Sequence, residues 1–256
     1  TPTVRDGDAQ LVLGRDYGIT YTKNVNVGTA KLTFTGRGNY TGSRTTTFTI
    51  NPRSVSGLAV APIRPKTYTG SAIMPTPSVR YGSKTFKLGT DYTFSYANNV
   101  NKGTARITVK GRGNLTGSKT VTFTINPRSV SSLTVAPIRD KAYTGKAFKP
   151  APSVKYGGKT LTLGTHYTYS YRNNVKPGKA AITLTGRGNF TGSRTITFRI
   201  KPRAATLSRV SSTRARTLTA VWQRDTLATG YELSYSTDKS FAKGVVRKVF
   251  TANGNT

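Results

Sequence analysis

Residues 36–50, GRGNYTGSRTTTFTI, place three glycines and an asparagine ahead of a run in which Thr45, Thr47 and Thr49 alternate with Thr46, Phe48 and Ile50. A glycine loop that cradles phosphate opens a helix, whose N-terminal amides and dipole hold the anion. Here a period of two follows instead, the pattern of a half-buried strand. The Gly-Lys-Ser/Thr ending of a Walker loop is also missing. The stretch is therefore expected to be a hairpin connection, with Gly36, Gly38, Gly42 and Asn39 supplying positive φ angles.

The same stretch returns as GRGNLTGS from Gly111 and GRGNFTGS from Gly186, each 75 residues on, and Pro52, Pro127 and Pro202 follow at one offset. A strict period of this length marks a repeat array. The chain divides into a partial copy (1–53), whole copies (54–128 and 129–203) and a different tail (204–256). Thr1 aligns with Thr76, so residues 54–75 have no counterpart in the first copy, and the chain is expected to be a segment of a longer protein.

A second alternating strand precedes each loop: Ala30, Leu32 and Phe34, then Ala105, Ile107 and Val109, then Ala180, Ile182 and Leu184. After the loop, Val121, Phe123 and Ile125 share a face, as do Ile196, Phe198 and Ile200. Upstream, Tyr92, Phe94 and Tyr96 form one face before an Asn-Asn-Val turn, and SVRYGSKTFKLGTDY reads as two short strands around Gly82-Ser83. The runs VAPIRPKTYTG and IMPTP read as an edge strand broken by prolines. Six or seven strands and no helix are expected per copy. The fold class is all-β: tandem small antiparallel β-sandwich modules, Ig-like or β-grasp-like, in an extended array. The inward register of Tyr17, Tyr92 and Tyr167 assigns them to the core rather than to sugar stacking.

Hydrophobic residues are 35% of the chain, enough for small cores only. With no cysteine, disulfides and thiolate metal sites are excluded. No apolar run approaches the ~20 residues of a membrane span. The 40 basic and 8 acidic residues give +32. By segment this is +4 (7 minus 3), +10 (11 minus 1), +13 (14 minus 1) and +5 (8 minus 3). Such a field favours polyanionic neighbours without choosing among them.

Acid–base or metal catalysis needs clustered carboxylates, histidines or cysteines. His166 occupies the place of Asp16 and Asp91 in the motif L-G-x-[DH]-Y, so a hydrogen-bonding role at a turn, open to either residue type, is expected there. Asp91 and Asp140 are the single acids of the two whole copies, which leaves no carboxylate pair within a module. No enzyme, no catalytic residue, no cofactor and no metal site are expected. Asn39, Asn114 and Asn189 match the N-glycosylation pattern as part of a recurring turn. Asn24, Asn99 and Asn174 are positions to check for Lys–Asn isopeptide bonds, and none is expected without a recurrent neighbouring acid. The outward threonine rows are read as solvent-facing strand residues.

The run YGSKTFKLGTDYTFSYANNVNKGTA (81–105), continuing to a G-x-G-N-[YF]-T-G motif that has Leu115 at the aromatic position in this copy, resembles the YDG-type, Ig-like repeats of bacterial surface proteins, over nearly all of each whole copy. TLTAVWQRDTLATGYELSYSTDKSFAKG (217–244) resembles the front half of a fibronectin type III domain, with Trp222 on its second strand, Tyr231 and Leu233 on its third, and Trp222 in the core. The resemblance implies a segment of a Gram-positive cell-surface or cell-wall protein acting as a stalk or spacer for an adhesive region. It carries no ligand residues. A monomeric rod is expected from the short Asn-Pro-Arg linkers, Asn51-Pro52-Arg53 and Asn126-Pro127-Arg128. The competing expectation is an adhesin segment gripping an anionic cell-wall polymer or acidic host glycan through Lys31, Arg44, Arg106, Lys119 and Arg194 aligned along one side. Nucleic acid is not an expected partner, because the aromatic residues turn inward.

Overall fold

The computed structural model describes residues 2–215 and 217–251. The chain forms two compact units, residues 1–127 and 128–256. All its strands belong to small sheets, and the regular non-strand elements among the described residues are two single 3₁₀ turns.

In the second copy the alternating runs become a three-strand antiparallel meander, Tyr92–Ala97, Gly103–Gly111 and Ser118–Asn126. Its register sets Ala105 against Phe123 and Ile107 against Val121, so one face gathers the apolar residues. The third copy repeats this with Tyr167–Arg172, Gly178–Gly186 and Ser193–Lys201, where Ala180 faces Phe198 and Ile182 faces Ile196. Val79–Tyr81 and Lys84–Thr85 pair around Gly82-Ser83 as expected, and Ala59–Val60 joins them in a separate three-stranded sheet.

At the proline-broken edge the antiparallel modules add short parallel pairings. Pro62 and Pro65 lie between Ala59–Val60 and Lys66–Thr67, two pieces that belong to different sheets, so the chain crosses from one sheet to the other there. Lys66–Thr67 then runs parallel to Ile125–Asn126, and Arg53–Ser54 runs parallel to Leu115–Thr116. These pairs join residues far apart in sequence, and no tight turn imposes the antiparallel sense. The second pairing places Arg53 with the copy that follows it, as Arg128 pairs with Phe190 in the third. Arg53 also lies over the Tyr81 ring, 3.9 Å from its centroid.

Two single 3₁₀ turns, Val55–Gly57 and Val130–Ser132, accompany the strands. Three residues show no helical period, but each turn is capped by the preceding serine: Ser54 Oγ accepts from the Ser56 N–H, and Ser129 Oγ from the Ser131 N–H. Each turn buries its valine and the leucine that follows it, Leu58 or Leu133.

The glycine loops close the hairpins, although their glycines divide the work differently from the expectation. Gly38 and Gly42 adopt positive φ (60° and 81°), whereas Gly36 and Asn39 do not. A Cβ on Gly36 would lie 2.7 Å from the Tyr40 and Thr41 backbone, and Gly111 and Gly186 are equally confined. Here glycine permits close backbone approach.

Two clusters fill the second copy, and Ala180, Ile182, Phe198 and Ile200 form the matching cluster in the third. In the second copy Val55, Leu58, Val79, Tyr92, Val109 and Leu115 pack together at one end, and Ala105, Ile107, Phe123 and Ile125 pack under Ile63, Tyr68 and Ile73 at the other. Tyr17, Tyr92 and Tyr167 are buried in their modules, as their register implied. Among the described residues, the first copy's sheet has three strands where the whole copies have four. Phe48 is 41% exposed there, against 3% for Phe123 and for Phe198. In the tail, Leu207–Ser211 pairs with Thr219–Trp222 and Gly230–Tyr235 with Val246–Thr251. The Trp222 ring sits 5.5 Å from those of Tyr231 and Phe250, half-buried among them.

The repeat contains its own control for core energetics. Phe123→Ala should cost about 3–5 kcal/mol, the range for truncating a buried Phe, and Phe48→Ala less than half of that. Urea unfolding followed through amide signals of each copy separates the two.

Candidate functional site

The recurring titratable position is tied to main chain. Asp16 Oδ2 accepts the Val12 N–H at 2.8 Å, Asp91 Oδ2 the Lys87 N–H at 2.7 Å, and His166 Nδ1 the Thr162 N–H at 2.9 Å. In each copy the carbonyl of this residue also accepts from the arginine of the glycine loop, Arg37, Arg112 or Arg187. A carboxylate or an unprotonated imidazole nitrogen performs the same task, so the Asp-to-His exchange is tolerated. The Asp16 carboxyl lies below its ordinary range, chiefly through the Arg15 side-chain hydrogen bond and then the Val12 amide.

The arginine of the glycine loop is turned onto its own module: Arg112 Nη1 donates to the Gly89 carbonyl at 3.3 Å and Arg187 Nη1 to the Gly164 carbonyl at 3.4 Å. Asn99 and Asn174 donate their side-chain amides to the carbonyls of Ile73 and Phe148, at 3.1 and 2.7 Å, pinning the opening segment to the module. Asn114, within a glycosylation pattern, instead links the first two copies: its Oδ1 accepts the Val27 N–H at 2.7 Å and its Nδ2 donates to Asn26 Oδ1 at 2.8 Å.

The five cations singled out as polyanion contacts do not form one row. Strand alternation puts Lys31, opposite Thr47, and Arg106, opposite Thr122, on the threonine face of their sheets. Arg44, opposite Phe34, Lys119, opposite Val109, and Arg194, opposite Leu184, take the core-side register. In the whole copies that register gives the cation a structural partner. Lys119 Nζ donates to the carbonyls of Ser56 and Leu58, at 3.1 and 2.5 Å, and Arg194 Nη1 to the Leu133 carbonyl at 2.7 Å. They bind the open carbonyls around the 3₁₀ turn.

Tyrosine hydroxyls are used in the same way. Tyr96 and Tyr171 donate to the Pro75 and Pro150 carbonyls at 2.9 and 3.0 Å. Burial first, then the neighbouring Tyr169, pushes the Tyr171 phenol up to about 12. In the second unit an open cleft of about 1100 Å³ is lined by Trp222, Tyr231, Phe250, Leu207, Tyr143 and Lys176, among others. Its acids are matched to cations, Asp225 with Arg203 at 3.4 Å and Glu232 with Arg247 at 3.7 Å. Among the described residues, His, Cys, Asp and Glu side chains form no group of three or more able to hold a metal ion. No helix among them is long and apolar enough to cross a membrane.

No family model matches the sequence, and no curated protein matches it. Among solved structures, the protocadherin gammaB7 EC3–6 cis-dimer aligns over 100% of this chain and 88% of its own, at 11% identity and a TM-score of 0.21. The all-β description rests on the chain's own strands.

Two outcomes follow from these bonds. His166→Ala should release the Thr162 amide to faster hydrogen exchange and cost roughly 1 kcal/mol, a typical net hydrogen bond, while His166→Asp, the residue of the other copies, should keep both protection and stability. For Tyr171, a raised acid pKa means stability that is intact below the ordinary value of 10 and is lost as pH rises through about 12. Tyr171→Phe should therefore remove the latest-titrating phenol in an ultraviolet pH titration and soften alkaline unfolding over that window.

Proposed function

We propose that this chain is a non-enzymatic positional segment, a stalk or spacer of a Gram-positive cell-surface protein, built from YDG-type Ig-like modules that lead into part of a fibronectin type III domain. The observation that carries the reading is how the polar side chains are used. The recurring Asp/His, the loop arginines, the NNV asparagines and the Lys119/Arg194 position all bond main-chain groups of their own module. Side chains fixed in this way hold a module in shape and are not free for acid–base or nucleophilic work. The NPR linkers serve the same end: Arg53 and Arg128 pair directly into the module they introduce, leaving little free tether.

In this reading the chain is a monomer, extracellular, with its cationic surface keeping it among anionic wall polymers or host glycans through generic, salt-sensitive attraction. Solution scattering tests it. A compact globule of 256 residues has a radius of gyration of about 18 Å. The spacer reading expects a value well above that, independent of protein concentration. A value near the globular one, or one that grows with concentration, overturns it.

A further inference from the structure

The copies share a fold, so a position that is neutral in two of them and charged in the third has not been charged to satisfy that fold. Five such positions meet at one end of the third copy's sheet; Lys201, in place of Asn51 and Asn126, is taken up by Asp140 at 3.0 Å, which leaves four. Arg172 replaces Thr22 and Ala97, Lys176 replaces Asn26 and Asn101, Lys179 replaces Thr29 and Thr104, and Arg199 replaces Thr49 and Thr124. The reverse exchange has occurred mid-strand, where Lys31 and Arg106 correspond to Ala181. The third copy is also the most basic segment, at +13 (14 minus 1).

The topology brings the four together. Lys179 lies directly opposite Arg199 on adjacent strands, with both side chains in the outward register of the threonine face. Arg172 lies opposite Ala181, which makes it the diagonal neighbour of Lys179. Directly opposed side chains stand ~5 Å apart at Cβ and diagonal ones ~7–8 Å. Lys176 sits in the turn joining the first two of these strands, which encloses an open cleft of about 400 Å³ lined by residues 173–179, Lys176 and Lys179 included. All four cations are exposed. Asp140, beside the closing strand, has its carboxylate held by Lys201 at 3.0 Å and by the Arg199 backbone N–H at 3.2 Å, and it also feels the positive charge of Arg199, so Arg199 is the one cation of the four with an acid at hand. On the other side of Lys176, Asp225 and Glu232 line the larger cleft and are paired with Arg203 and Arg247.

Like charges placed directly opposite on a sheet oppose each other. Their retention at the rim of a flat, hydroxyl-rich surface makes sense if an anion stands between them. We infer that Arg172, Lys176, Lys179 and Arg199 form a binding site for a linear polymer carrying sulfate or phosphate esters, whose tetrahedral oxyanions take the planar arginine forks and the lysine ammonium groups. Successive esters lie across three adjacent strands and end at the lysine-lined turn. This site goes beyond the spacer role and does not depend on it, since a compact or an extended chain presents the same sheet face.

The repeat supplies a folding-neutral test. The quadruple variant Arg172→Ala, Lys176→Asn, Lys179→Thr and Arg199→Thr installs the second copy's own residues. A control variant, Lys110→Thr, Lys146→Ser, Lys155→Thr and Lys159→Thr, removes the same four charges elsewhere, so both variants carry +28 (32 minus 4). Binding of a heparin-derived hexasaccharide and of short poly(glycerol phosphate) is titrated against each full chain over a salt series. The site variant should lose tenfold or more in affinity, and its slope of log K on log salt should flatten by about 3, near 0.7 per ester contact on a single-stranded polyanion. The control should change less than threefold. Without ligand, at low salt, the site variant should melt higher than the parent, because the opposed cations are gone. Loss confined to one polymer identifies its ester as the ligand, and loss for both assigns the site to the oxyanion in general. Equal losses in the two variants, or no measurable binding by the parent chain, overturn the site.

Discussion

The glycine loop fixes the register on which each module depends. Gly111 donates its N–H to the Gly117 carbonyl at 3.0 Å and passes so near the Leu115 backbone that a Cβ would sit 2.7 Å from it. That closure sets Val109 opposite Lys119 and Ala105 opposite Phe123. A slip of one residue would turn every apolar side chain of the closing strand to the solvent face. The two core clusters, the lysine that reaches the 3₁₀ turn and the parallel edge strand are all built on that register.

A module of this size buries little apolar surface and has no cysteine to staple it. It compensates by tying irregular backbone down with side chains. Asp or His holds the amide four residues back, lysine or arginine gathers the carbonyls of the 3₁₀ turn, asparagine and tyrosine clamp the opening segment, and serine caps the turn. Each bond is worth about a kilocalorie per mole, but the backbone groups they satisfy would otherwise be left without partners away from regular strands. This explains why residue types that suggest chemistry in the sequence, the lone histidine foremost, turn out to serve the fold.

Separating structural cations from the rest changes the meaning of the +32 charge. Lys119 and Arg194 are set inward by strand parity and belong to the module's architecture. The charges at Arg172, Lys176, Lys179 and Arg199 have no such constraint, since the second copy holds the same backbone with alanine, asparagine and threonine. Divergence between copies of one fold therefore marks candidate function more sharply than total charge does.

The repeat, the all-β class, the inward faces of the meander and the hairpin role of the glycine loop could be read from the sequence, because period-two alternation and glycine spacing are local signals repeated at 75-residue intervals. The turn role of Asp16, Asp91 and His166 was legible for the same reason, through their shared place in one motif. The 3₁₀ turns were too short to show a period, and the parallel edges join residues such as Lys66 and Ile125 that no local pattern connects. Which of the cations lie side by side was also invisible in one dimension. Lys179 and Arg199 are 20 residues apart and face each other only because the hairpin register brings them together, whereas Lys31 and Arg44, closer in sequence, are sent to opposite faces of one sheet. Local periodicity determined what each strand buries; only the pairing of distant strands decided which charges meet.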